Sequence, residues 1–175
     1  MRMANLTASV AIAVGVATSG PAAAAPVKAA VFDFELVDTS TEGQLQGVRD
    51  DQTQRLRRTT EDVREALEGA GLALVDIGPA REQLEDVKAV HDCVPCARTA
   101  AETLGADYAV LGHVQKVSNL ILNINVQVVD VKTGKTVRGG SADIRGNTDE
   151  SWDRGTRYLM KNSILKEPLP AAGAR

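Results

Sequence analysis

The two cysteines of the chain, Cys93 and Cys96, are spaced as Cys-x-x-Cys. This spacing suits a thiol–disulfide redox pair, half of a zinc site or a small structural disulfide. A helix predicted over 97–104 could lower a thiol pKa at its N-terminus, which favours redox chemistry. Zinc needs further ligands, and His91 and His113 are the only histidines. We expect a disulfide that fixes a bend between two helices, and the redox and metal alternatives stay open.

Asp33 and Glu35 are carboxylates on one face of the first predicted strand, near its C-terminal end. Ligands of open α/β sheets tend to bind at that end of the strands. The two side chains could hold a hard cation or act as an acid and base pair. A solvated strand end is the simpler interpretation, because the run lacks the pattern of a calcium-binding loop.

A second candidate ligand site combines a predicted helix N-terminus with the only tryptophan. Asn147 is the expected N-cap, with Glu150 three residues on, and Asp149 and Trp152 follow it. A polar ligand could bind there over the indole face, whereas a capped helix with a buried tryptophan is the simpler explanation. The ligand-binding hypothesis therefore covers Asp33, Glu35, Asn147, Asp149 and Trp152. We assign no catalytic residue, no metal ligand and no cofactor.

Asn123, Asn125 and Gln127 alternate with apolar residues along one predicted strand. Asparagine is depleted in strands, so this polar ladder is unusual. It could line a groove, but the solvent face of an antiparallel sheet is the expected assignment.

The first 24 residues have the layout of a secretory signal peptide. Arg2 supplies a positive start, residues 6–16 are apolar, and small residues lead to an expected cleavage after Ala24. This pattern predicts export, most simply to a bacterial periplasm, where a disulfide would be maintained. No later stretch is apolar enough to predict a membrane span.

Composition narrows the class of protein. The remaining chain predicts one domain over 25–166 and a flexible tail over 167–175. The formal net charge is −3 and aromatic residues make up 3% of the sequence. Nucleic-acid binding is therefore poorly supported, since it normally requires a basic surface and stacking side chains.

Hydrophobic periodicity predicts an α/β (α+β) domain with the element order β-α-β-α-α-β-β-β-α. The first strand is expected over 27–37, with Phe32 and Phe34 on one side. Residues 120–131 and 136–144 alternate around a Lys-Thr-Gly-Lys turn, which predicts a hairpin. One parallel crossover followed by an antiparallel meander gives a mixed sheet of about five strands with helices packed against it.

Several segments resemble a family of secreted bacterial proteins that is known only as a domain of unknown function. They are residues 30–36, 93–97, 104–112, 115–121 and 146–152. The cadence from Cys96 to Gly112 is more distantly similar to TolB amino-terminal-like α/β domains. The resemblance implies a mixed sheet and a role in binding or assembly. The leading hypothesis is a periplasmic non-enzymatic accessory protein that binds a partner protein or a small ligand.

Overall fold

The computed structural model describes residues 25–173, so the predicted signal peptide lies outside the described residues. The strands are β1 (Lys28–Val31), β2 (Glu35–Asp38), β3 (Ala73–Leu74), β4 (Tyr108–Ser118), β5 (Ile121–Asp130) and β6 (Thr136–Ile144). The helices are α1 (Thr41–Gln46), α2 (Asp50–Gly69), α3 (Arg81–Leu84), α4 (Val94–Thr103) and α5 (Asp149–Leu159). Short 3-10 helices span Gly78–Ala80 and Val90–Asp92, and α5 continues as a π-helical turn over Met160–Ile164.

The strands form one mixed sheet in the order β3-β1-β4-β5-β6, and β2 pairs with β4 beyond the end of β1. β1 and β2 run parallel to β4, whereas β4, β5 and β6 form an antiparallel meander. The predicted single α+β domain with a mixed sheet is confirmed. A sixth strand arises because the first predicted strand is divided into β1 and β2.

One extra residue separates β1 from β2. Val31 pairs with Val110, and Glu35 pairs with His113, so four steps on one strand match three on the other. Such an insertion reverses which face the following side chains occupy. The prediction that Phe32 and Phe34 lie on one side is therefore wrong, since they belong to the hydrophobic clusters on opposite faces of the sheet.

The first face of the sheet is covered by α2 and the C-terminal helix. Val63 and Leu67 of α2 and Trp152 and Leu159 of α5 are fully buried against it. Gly112 of β4 gives the Phe34 ring room on this face, because a Cβ atom there would overlap the ring.

The second face is covered only in part. Small residues of α4 (Ala97, Ala100 and Ala101) pack closely on β4 and β5. α4 has 10 residues and is about 15 Å long. β4 has 11 residues and extends about 36 Å, so its C-terminal half projects beyond the helix. We call the exposed half of this face the open face.

Some element boundaries differ from the sequence-based expectation. The predicted order has one helix after the first strand, whereas the structure has two, α1 and α2. The N-cap of α1, Ser40, accepts a hydrogen bond from Gly43 N. Helix α3 is confined to Arg81–Leu84, and α4 begins at Val94, three residues before the predicted start at 97. The N-cap of α5 is Thr148, not Asn147.

The C-terminal residues contact the sheet. Pro168 O accepts a hydrogen bond from Arg138, and Pro170 O accepts one from the Tyr108 hydroxyl. Gly173 N donates to Asp130. The tail predicted to be flexible thus has identifiable partners, and its mobility stays a prediction. Within residues 25–173, the helices are too short or too polar for any to cross a bilayer.

Candidate functional site

A short segment, residues 89–93, crosses the open face just before α4. We call it the clasp. The Glu35 carboxylate accepts hydrogen bonds from Val90 N at 3.1 Å and His91 N at 2.7 Å. Gln127 of β5 donates its amide to His91 O at 3.0 Å. Polar side chains of two strands therefore hold the main chain of the clasp to the sheet.

His91 of the clasp packs against His113 of β4, although the two histidines are distant in sequence. Their ring centroids are 4.4 Å apart and the rings are tilted by 39°. Nδ1 of His91 lies 2.5 Å from the Glu35 carboxylate. Partial burial, and secondarily the neighbouring His91, lower the pKa of His113 from its ordinary value of 6.5. Their contact could not be predicted from the sequence, because it depends on the register of β4 and on the path of the clasp.

The clasp separates two small cavities. Glu35, Asp33, Arg81 and Val90 help to line one of about 240 Å³. His91, His113, Asn125 and Gln127 help to line another of about 270 Å³. The sequence-predicted pair Asp33 and Glu35 thus meets at one cavity, although only Glu35 lies in a strand.

Asp33 occupies the interruption between β1 and β2. Its carboxylate lies 3.3 Å from a guanidinium nitrogen of Arg64 in α2 and 3.3 Å from one of Arg81 in α3. It therefore links helices on the two sides of the sheet, and both ion pairs are partly open to solvent.

The expected disulfide between Cys93 and Cys96 is present, with the Cα atoms 5.3 Å apart. Its position differs from the expected bend between two helices. Cys93 is the N-cap of α4 and Cys96 lies within its first turn. The bridge thus ties the end of the clasp to the start of α4.

Side chains of four strands form two ordered rows on the open face. Register partners make up the first row, which is Glu35, His113, Asn125 and Ser141. The second row is Val37, Gln115, Asn123 and Asp143. Asn123 donates to Asp143 at 2.6 Å and accepts from Ser141 at 2.9 Å. The polar ladder thus lies on the less covered side of the sheet, where Asn123, Asn125 and Gln127 are half-buried and the clasp contacts Gln127.

The second predicted ligand site is filled by contacts within the chain. Trp152 is fully buried, and its indole N–H donates to Asn147 at 2.9 Å. Arg55 of α2 donates to Asp149 at 2.7 Å, and Arg58 lies 3.1 Å from the same carboxylate. Hydrogen bonds from these two arginines lower the pKa of Asp149. No contact joins this group to Asp33 or Glu35 among the described residues.

A buried ion pair at the end of β2 escaped the sequence-based interpretation. The side chain of Lys116 is 1% exposed and lies 3.0 Å from Asp38 and 2.9 Å from Glu42. Burial opposes ionisation of Asp38, yet hydrogen bonds from Ser40 and Lys116 keep its pKa below its ordinary value. The sequence signal for this ion pair was that Lys116 occupies a position of the alternating strand β4 that faces the interior.

The part of the chain that the structure describes contains no three-ligand metal site. There, no group of three His, Cys, Asp or Glu side chains is arranged to hold an ion.

Comparison with known proteins identifies a family and similar folds. A family model described as "Protein of unknown function (DUF2380)" matches residues 27–164. No curated protein matches the chain.

Solved structures with a similar fold include three bacterial proteins. The LpoB C-terminal domain from Salmonella enterica is 18% identical over 69% of this chain and 82% of that chain, with a TM-score of 0.49. The PelC dodecamer from Paraburkholderia phytofirmans is 18% identical over 88% and 96%, with a TM-score of 0.46. Lipoprotein GNA1162 from Neisseria meningitidis is 18% identical over 71% and 84%, with a TM-score of 0.47. At these identities the likeness concerns the fold alone.

Proposed function

Because the chain belongs to the family described as a protein of unknown function (DUF2380), whose model matches residues 27–164, we propose a function from the site itself. The protein is a non-enzymatic accessory protein of the bacterial envelope, and it binds a partner protein through the open face. The more distant likeness to TolB-type domains stays a prediction.

The observation that carries this proposal is the composition of the open face. The second row presents Gln115, Asn123 and Asp143, which offer donors and acceptors in register. Beyond that row lie Val117 and Ile121, which are 51% and 47% exposed. Protein interfaces typically combine exposed apolar side chains with hydrogen-bonding groups of this kind.

A binding role also agrees with how the carboxylates are used. Glu35 holds the clasp, and Asp149 is paired with two arginines. These groups stabilise the fold through contacts within the chain, which supports a structural role for them and leaves the second row of the open face for binding. The ligand-binding role of Asp33, Glu35, Asn147, Asp149 and Trp152 stays a prediction.

The envelope location is supported by two features of the chain. Residues 1–24 have the pattern of an export signal. The Cys93–Cys96 bridge suits an oxidising compartment such as the periplasm.

The test uses substitutions of matched chemistry on opposite sides of the molecule. Gln115→Arg places a long cation in the second row, whereas Gln54→Arg places it on the exposed surface of α2. The wild-type protein and both variants are expressed with a tag and cross-linked in periplasm. We expect the Gln115→Arg variant to lose a discrete cross-linked partner that the wild-type and Gln54→Arg proteins retain. Equal cross-linking by all three would contradict the proposed surface.

A second candidate function is thiol–disulfide exchange, which one observation favours. Cys93 caps α4 and Pro95 lies in its first turn, so the helix N-terminus would stabilise a Cys93 thiolate. In this reaction two thiols of a substrate protein are oxidised to a disulfide while the Cys93–Cys96 bridge is reduced to two thiols. Equilibration with glutathione buffers distinguishes the two roles. A potential below roughly −300 mV would indicate a structural bridge and exclude this candidate.

A further inference from the structure

The clasp is the narrow partition between the two cavities of the open face. Val90 lines the cavity that contains Asp33, and the next residue, His91, lines the one that contains His113. Movement of the clasp away from the sheet would join the two cavities into one groove beneath it. The groove would cross β2, β4 and β5 along the first row, directly beside the second row of the proposed binding surface.

Few contacts oppose such movement. The Glu35 carboxylate, the Gln127 amide and the His91–His113 ring contact hold the clasp to the sheet. Val90 is only partly buried where it packs on the second-face cluster. Segments with little buried apolar surface are those that open most readily. The Cys93–Cys96 bridge ties only the C-terminal end of the clasp, at Cys93, to α4.

The groups that face His113 come from three sides. β2 contributes Glu35, and the clasp contributes His91 and Asp92. β5 contributes the neutral side chain of Asn125, which is the register partner of His113. The two carboxylates favour a charged His113, whereas its burial and the adjacent imidazole disfavour it, and the second pair of effects prevails.

The sign of the pH effect follows from this balance. In the closed clasp the pKa of His113 is below its ordinary value of 6.5. Once the clasp opens, His113 is solvated and titrates near that ordinary value. The open form therefore binds more protons, and the closed form loses stability as the pH falls below about 6.5 and through the lowered pKa.

We propose that protonation of His113 against His91 releases the clasp and joins the two cavities into one groove that the partner protein can enter. This regulation rests on the proposed binding role of the open face. It makes the partner's access to the face dependent on acidity, with His113 as the proton sensor and Glu35 as the latch.

The test is amide hydrogen exchange by NMR on the mature protein between pH 5 and 7.5, with no partner present. After correction for intrinsic exchange rates, we expect the Val90 and His91 amides to lose protection progressively as the pH falls from 7.5 to 5. Protection of the β4–β5 ladder should stay constant. Uniform protection of the clasp across this range would overturn the proposal.

Two variants and the titration of one NMR resonance make the test specific to His113. His113→Gln should remove the pH dependence of clasp protection, and Gln115→Asn, the next open-face residue of β4, should retain it. If His113→Gln does not fold, the wild-type His113 ring resonance decides, because titration at or above 6.5 would contradict the proposal. These measurements need no partner, so failure to find one would affect the proposed function and leave the switch intact.

Discussion

Glu35 and His91 are joined twice, through the main chain and through the side chain. The Glu35 carboxylate accepts the His91 backbone N–H at 2.7 Å and lies 2.5 Å from Nδ1 of the ring. This pair sets the position of the clasp and points the His91 ring toward His113. The only carboxylate of β2 on the open face therefore organises the candidate site.

Replacing Glu35 with glutamine should loosen the clasp and lower the free energy of unfolding by about 1–3 kcal/mol, because charged hydrogen bonds to two backbone donors are weakened. Chemical unfolding monitored by circular dichroism measures the change. Glu85→Gln is the control, since Glu85 is exposed after α3 and should change stability by less than about 0.5 kcal/mol. Equal stability of the two variants would contradict the latch role.

Replacing Lys116 with methionine should lower the free energy of unfolding by about 3 kcal/mol at neutral pH. The Asp38 carboxylate, 8% exposed, would lose the ammonium group that pairs with it. In the wild type the pKa of Asp38 is depressed below 3.8, so its contribution is present above that pH and is lost as the pH falls further.

Unfolding experiments across pH check this assignment. The deficit of Lys116→Met should be largest above about pH 4 and should shrink in acid, where Asp38 becomes neutral. The double variant Asp38→Asn/Lys116→Met should lose less stability than the two single losses combined, because the residues interact directly. Additive losses would be inconsistent with a coupled buried pair.

Replacing Gly112 with alanine should destabilise the protein by about 1–3 kcal/mol, because the new methyl group would overlap the Phe34 ring. Gly69→Ala is the matched control. Gly69 ends α2 with open space around it, so alanine there should be neutral or stabilise by up to about 1 kcal/mol. Thermal unfolding of both variants measures the difference, and similar midpoints would argue against the close packing of Phe34.

Replacing Asn147 with alanine should cost about 1–3 kcal/mol, since the buried Trp152 indole N–H would lose its acceptor. The emission of the single tryptophan should shift at the same time, which gives a local readout. Asn162→Ala on the exposed side of the C-terminal helix serves as the control. An unchanged spectrum would indicate that Asn147 does not contact the indole in solution.

The long elements were predictable because their side chains have a single dominant environment. Val63 and Leu67 recur at helical spacing, and Ile124 and Val126 alternate with polar residues, so helix α2 and strand β5 follow from periodicity. The short elements could not be predicted. α1 and the clasp have few buried apolar residues and depend on contacts such as Lys116–Glu42 and Glu35–His91.

The residues of the candidate site were likewise predictable only in part. Glu35 and the Cys93–Cys96 pair could be selected from the sequence, since their residue types and spacing suggest chemistry on their own. Neither the partner of Glu35 nor the pairing of His91 with His113 could be inferred, because these residues are separated by more than twenty positions and one inserted residue sets their register.

The sequence by itself thus determined helix α2, the β5–β6 hairpin, the mixed sheet and the disulfide, because these depend on local spacing and on the alternation of apolar residues. Only the tertiary structure decided where Cys93 lies, at the cap of α4 beside the clasp, and which face each phenylalanine occupies. The physical reason is that a one-residue insertion between Val31 and Glu35 leaves the hydrophobic pattern readable but shifts every later side chain of that strand to the opposite face.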